Sequence, residues 1–250
     1  IGMIRILTHM TEPENEKPKR DYVLPVSILI AALLVAVALV YNAGKKAENQ
    51  PANLAGSAQN NPNAPMPESI KPVSVADHIL GNPDAPEKVI EFSDLECPFC
   101  KSFHATMHQV VRTYGDKVAW VYRHLPLPQL HPKAPKEAQA AECATKLGGN
   151  DKFWAYVDKI FEITPANNGL DLALLPKIAT DISLDLEQFN SCLASDYGQD
   201  KIQNDMNDAA NSGARGTPYS IVLNNKGQKF IIPGALPFDE VGVIINAALK

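Results

Sequence analysis

Two cysteines in the run CPFC, Cys97 and Cys100, are the residues of this 250-residue chain best suited to covalent chemistry. A dithiol at this spacing can close and open a disulfide, and the thiolate is the species that attacks. VIEFSD, Val89 to Asp94, is short, apolar and β-prone, and a run with helical periodicity extends from Cys97 to about Tyr114. Cys97 therefore stands where a strand becomes a helix, facing free backbone N–H groups and the positive end of the helix dipole, which favour thiolate over thiol. Cys100, one turn on, is near enough to take over a bond made by Cys97. Pro98 suits the first turn, where its missing N–H costs little. Zinc is the competing chemistry, since His104 lies just beyond Cys100. The second paired-ligand knuckle is missing, however, because Cys143 and Cys192 are isolated and 49 residues apart. No metal and no cofactor are expected.

The elements that must position this pair follow along the chain. Phe99, Phe103, Met107, Val110, Val111 and Tyr114 recur at spacings of three and four, so one face of the helix packs on a sheet. Val118 to Leu125, VAWVYRHL, reads as a second strand, and a crossover through a helix makes it parallel to the first. From about Pro135 to Ser212 the pattern supports four or five helices, including KEAQAAECATKL and DKFWAYVDKIFEI, the latter with Asp151 as its cap. Strand character returns at Tyr219 to Asn224 and Lys229 to Gly234 across a turn at Asn225, Lys226 and Gly227, and an amphipathic helix runs from about Phe238 to Leu249. The chain is thus α/β, a small sheet with a helical subdomain inserted at about 130–212. Pro218, in RGTPY, cannot donate to a central ladder, so it starts a strand or serves a special purpose. Read together with the cysteine pair, a cis Thr217–Pro218 peptide is the better expectation.

Upstream of this domain the character changes. Tyr22 to Tyr41, YVLPVSILIAALLVAVALVY, is twenty residues without a charge, the length of one bilayer span, with a tyrosine at each interface. A cleaved signal peptide has a shorter apolar region and small residues at its cut, which Val40, Tyr41 and Asn42 do not supply. Arg5, Lys17, Lys19 and Arg20 precede the span and Lys45 and Lys46 follow it, a bias that puts the N-terminus inside. The organisation expected is a cytoplasmic segment 1–21, an anchor 22–41, a flexible Pro/Asn/Ala-rich tether 42–72, and a domain 73–250 outside the cytoplasm, where disulfides persist. Lys and Arg number 23 against 28 Asp and Glu, a net charge of −5, which gives a phosphate backbone no general attraction. No nucleic-acid partner is expected.

EFSDLECPFC, the inserted helices, GTP before a strand and the closing helix together resemble the DsbA-like branch of the thioredoxin-fold thiol-disulfide oxidoreductases, including its membrane-tethered bacterial members. The resemblance covers about Val75 to Lys250, and HILGNPDAPEKVIEFSD is similar to that family's leading segment. It implies Cys97 as nucleophile, Cys100 as resolving thiol and Pro218 as the cis-proline beside them. Pro98, Phe99 and Thr217 would meet substrate, Thr217 through backbone groups offered to an extended segment. Glu91 matches the family's acidic residue under the active site, where a carboxyl in low dielectric could relay the proton of Cys100. The alternative for Glu91 is a surface glutamate on an edge strand, and the family's buried lysine partner is absent where Val121 and Tyr122 stand. Cys143 and Cys192, both in inserted helices, are expected to form a second, structural disulfide, the alternative being two buried free thiols.

The implied function is a thiol-disulfide exchange enzyme of the bacterial inner (cytoplasmic) membrane, acting on extracytoplasmic proteins with cysteines and recharged by a membrane redox partner. Phe99, where strong oxidases of the family carry histidine, implies a milder oxidant, and threonine before the cis-proline resembles the reductases and isomerases. No dimerisation domain of the isomerase kind is visible, so oxidase is the first expectation and reductase or isomerase the second. A reading of another class is a thioredoxin-like module that binds or chaperones secreted chains without turnover, which would not need both cysteines.

Overall fold

The computed structural model of the protein describes residues 69–250. The expected segment 1–21, the anchor 22–41 and the tether up to residue 68 lie outside the described residues. No helix among the described residues is long and apolar enough to cross a membrane.

A five-stranded sheet has the order β1-β3-β2-β4-β5, with β1 at His78–Leu80, β2 at Glu87–Ser93, β3 at Val118–His124, β4 at Tyr219–Leu223 and β5 at Lys229–Pro233. β2 and β3 are parallel, joined through helix α1, Pro98–Tyr114, while the other three pairings are antiparallel. The βαβ unit read from the sequence is therefore the centre of the sheet, and β1 is an added edge strand that three residues of sequence do not announce. Because β2 is central, both of its faces are covered: Val89 belongs to one apolar cluster and Ile90 and Phe92 to the other.

On the first face, α1 sets Phe103, Met107 and Val110 against Trp120 and Val222, and the closing helix α6, Phe238–Ala248, adds Val241 and Ile245. Burying each such side chain stabilises the domain by about 1.5 to 3 kcal/mol. Phe99 departs from the face expected for it. It is 64% exposed, because it sits in the first turn, beyond the edge of the sheet. α1 ends at Gly115, whose φ of +54° is one that a residue with a Cβ rarely adopts.

The insertion comprises α2 (Ala134–Ile163), α3 (Leu175–Asp181), α4 (Leu186–Leu193) and α5 (Gln199–Asn211). The two helices expected at either side of residue 148 run end to end as α2, broken by non-helical backbone at Gly148 and Gly149. Cys143 on α2 is bonded to Cys192 on α4.

The last residues of the expected tether are in contact with the domain. Ser69 to Pro72 are docked on the domain, with Ser69 O accepting from Ser212 Oγ and Lys71 N donating to Asp208 Oδ1. The cause is Arg123, a buried guanidinium at the end of β3 that donates to Asp77 and Asp208 at 2.5 to 3.0 Å and to the carbonyls of Lys71 and Pro72. A buried cation requires all its donors satisfied, and this chain supplies part of that shell from the segment leading into the domain.

Candidate active site

Cys97 has extended backbone (φ −78°, ψ 122°) and Pro98 opens α1 behind it. Proline's ring presets the helical φ and brings no N–H to be left unpaired. The sulfur of Cys97 thus lies at the free end of α1, against the loop before β4. There the Thr217–Pro218 peptide is cis, and Cys97 Sγ lies 3.5 Å from the Thr217 carbonyl oxygen. A proline with no N–H leaves that edge of the loop open beside the sulfur. The Thr217 hydroxyl is buried and has no other hydrogen-bond partner, so it is free to donate to a thiolate.

Both sulfurs of this pair are free thiols and buried, Cys100 the more deeply, and their acidities diverge. The Cys100 thiol donates to Cys97 and, with the Thr217 hydroxyl and the N–H groups of Cys100 and Phe99, pulls the Cys97 pKa down to about 6 against the opposing effect of burial. Burial pushes Cys100 well above an ordinary thiol, and the neighbouring Cys97 and Glu91 charges push it further. At neutral pH the pair holds one proton, on Cys100, and one negative charge, on Cys97. A thiolate so placed can act as a nucleophile or a leaving group, with a protonated thiol beside it.

Glu91 is not an edge residue. It lies in central strand β2, opposite Tyr122 on one side and Ser220 on the other, and is 1% exposed. Burial raises its carboxyl to about 7, with the Ser93 hydroxyl and Trp120 indole opposing and the Cys97 charge adding. Glu91 Oε2 and Ser220 Oγ are buried without a hydrogen-bond partner. Tyr122 stands in the stretch that lacks the family's buried lysine, and burial holds its phenol neutral. The result is a small polar pocket beneath Cys100 whose carboxyl changes protonation near neutral pH.

Sequence reasoning missed a second acidic group in front of the pair. Asp94 Oδ1 accepts from Glu96 N at 2.8 Å, and Asp94 Oδ2 accepts from Leu127 N at 2.8 Å and contacts His131 Nδ1 at 2.9 Å. Glu96, the residue before Cys97, takes Asn167 N on its carbonyl at 2.7 Å and Leu170 N on its carboxylate at 3.3 Å. Burial, then the side chain of Glu96, pushes Glu137 of α2 up to about 9, so it stays protonated at neutral pH. The signal was present as three acidic residues, Glu91, Asp94 and Glu96, in the six before Cys97. What the sequence does not carry is that α2 and the loop after it close over them.

The comparisons agree with this geometry. The family model described as Thioredoxin matches residues 73–246. The crystal structure of Pseudomonas aeruginosa DsbA2 superposes with a TM-score of 0.60 at 28% identity, covering 71% of this chain and 96% of that one. Wolbachia pipientis alpha-DsbA1 does so with a TM-score of 0.62 at 25% identity, covering 74% and 96%. By sequence, 150 residues are 35% identical to the Na(+)/H(+) antiporter NhaA 3 of Salinispora tropica, 58% of this chain and 21% of that protein. The chain thus spans about a fifth to a quarter of the length of the curated relatives it matches. The chain belongs to the thioredoxin family and is a DsbA-like thiol-disulfide oxidoreductase.

Proposed function

We propose that the chain is a membrane-anchored protein disulfide oxidase of the bacterial inner membrane, its domain outside the cytoplasm and its Cys97–Cys100 disulfide donated to secreted or envelope proteins. The observation that carries this reading is the divided acidity of the two thiols. A Cys97 pKa near 6 stabilises the reduced pair as a thiolate, and stabilising the reduced form makes the disulfide a better oxidant.

In the exchange, a substrate thiolate attacks Cys97 Sγ of the closed disulfide. The Cys97–Cys100 bond breaks, a substrate–Cys97 bond forms, and Cys100 leaves with the electron pair and takes a proton. Glu91, protonated up to about pH 7, is the group beneath Cys100 suited to give that proton and regain it from solvent. A second substrate thiolate then attacks the substrate sulfur of the mixed disulfide and expels Cys97 as a thiolate, which α1, Cys100 and Thr217 hold. The substrate loses two electrons and gains a disulfide, and Cys97 and Cys100 gain the two electrons. Pro98, exposed Phe99 and the Thr217–Pro218 loop form the surface an extended substrate segment would lie against. Residues 22–41 anchor the domain, the tether holds it off the bilayer, and a membrane redox partner restores the disulfide.

The same atoms run in reverse for reduction or isomerisation, which Phe99 and Thr217 favour by family resemblance. Equilibration of the full chain with glutathione separates the directions. A potential in the range of about −120 to −180 mV, with oxidation of reduced ribonuclease, supports donation; a potential near −270 mV with insulin reduction overturns it. Suppression of aggregation without either reaction would leave only a binding module.

A further inference from the structure

Away from the cysteines, α1 carries two histidines one turn apart, His104 and His108, and α2 brings Asp158 to meet them. His104 Nε2 lies 2.7 Å and His108 Nε2 2.8 Å from the same oxygen, Asp158 Oδ1, and the two nitrogens are 3.2 Å from each other. Three lone-pair atoms so disposed define a triangle over which an ion with bonds of about 2.0 to 2.1 Å sits roughly 1 Å out of plane, near-equidistant from all three. The angles at such an ion are about 80° to 105°, the facial arrangement of a two-histidine, one-carboxylate triad.

We propose that His104 Nε2, His108 Nε2 and Asp158 Oδ1 bind one divalent first-row transition-metal ion, facially, in the groove between α1 and the second half of α2.

The ligands are held in place without the ion. The His104 ring packs against Trp120 and Phe161, with ring centroids 5.1 and 4.7 Å away, and is largely buried; His108 is edge-on to Trp120 at 5.4 Å. The remaining positions face an open groove of about 490 Å³ also lined by Lys101, Arg112 and Glu162, so water can complete the shell. Glu162, one turn after Asp158, is within the same groove and at present pairs with Lys159 at 2.9 Å. Lys101 is tied to the Thr164 carbonyl at 2.6 Å.

One feature limits the affinity. An imidazole bound through Nε2 carries its proton on Nδ1, and His104 Nδ1 is buried without an acceptor. A missing outer partner of this kind costs about 10- to 100-fold in metal affinity, which points to micromolar rather than nanomolar binding. A second cluster, His78, His124 and Glu142, also converges, with Glu142 Oε1 at 2.6 and 2.9 Å from the two rings. All three of its residues are buried, and it serves as the internal control.

The test uses the full chain with Cys97 and Cys100 oxidised to their disulfide, so that no thiolate competes, after stripping with chelator. Titration calorimetry with Zn2+ at pH 7.5 is expected to give one ion per chain at a dissociation constant on the order of micromolar, weakened at least 10-fold in both His108→Ala and Asp158→Asn. Absence of binding, or binding unchanged in either variant, overturns the proposal. Should a variant not fold, histidine side-chain 15N spectra of the unaltered chain decide. Zn2+ is expected to shift Nε2 of His104 and His108; unmoved signals there, or shifts confined to His78 and His124, overturn it.

Discussion

Cys97 and Cys100 are two residues inside one helix turn and free; Cys143 and Cys192 are 49 residues apart and bonded between two helices. Burial does not distinguish the pairs, since their exposures are 5% and 0% against 0% and 3%. What differs is who faces the sulfur. Cys97 meets the Cys100 thiol, the Thr217 hydroxyl and the N–H groups at the start of α1. Cys143, in the first half of α2, belongs with Cys192 to the same apolar cluster as Cys97 and Cys100 but stands in mid-helix, away from any helix start. A mid-helix position, whose N–H groups are already taken by the helix, withholds the donors that a thiolate needs, so the second pair is a brace by position as much as by bonding.

The contrast breaks most visibly at Cys97. Cys97→Ser is expected to abolish disulfide exchange, a loss of at least about a thousandfold in single-turnover assays, while Cys100→Ser accumulates substrate–Cys97 mixed disulfides detectable on non-reducing gels. Equal, partial losses in the two variants would remove the distinction between the sulfurs. The converse change, Cys143→Ala with Cys192→Ala, is expected to lower unfolding free energy by about 2 to 4 kcal/mol in denaturant melts. The Cys97 titration, followed by thiolate absorbance, should stay where it was; a Cys97 pKa that moved with the brace would merge the two regions.

A smaller effect sharpens the role of the pocket below. Unfolded, Glu91 ionises near its ordinary 4.5; folded, it keeps its proton to about 7. Its raised pKa therefore gives stability that is whole below pH 4.5 and lost as pH rises through 7. Glu91→Gln should leave stability unchanged at pH 4 and raise it at pH 8 by on the order of 2 to 3 kcal/mol, while slowing release of Cys100. A variant equally stable at both pH values relative to the native chain would put Glu91 outside low dielectric. Smallest of all, Thr217→Val removes one donor and should raise the Cys97 pKa by about one pH unit, with pH-dependent alkylation as the measurement.

Much of this arrangement was legible from local signals. The strand-to-helix junction, the parallel βαβ core and the proline before β4 are written in runs of five to eighteen residues whose periodicity needs no distant partner. The burial of Glu91 was legible only through the family resemblance, because whether β2 is central or at an edge depends on β4 pairing with it from more than a hundred residues away. The docking of Ser69 to Pro72 was not legible, since their composition reads as tether and their order comes from Arg123. His104 and His108 showed their i, i+4 spacing, but nothing in the sequence selects Asp158 as their partner; the fold of α2 across Gly148 and Gly149 does.

One contact reaches further than its size. The loop after α2 passes through Ala166, Asn167 and Asn168 with left-handed backbone and hands Asn167 N to the carbonyl of Glu96. Lys133, just ahead of α2, fastens that same loop by the carbonyls of Asn168 and Leu170. The helical block is thereby riveted to the peptide bond on which Cys97 begins. Any shift of the insertion would therefore reach the backbone of Cys97 through a single hydrogen bond, Asn167 N to the Glu96 carbonyl.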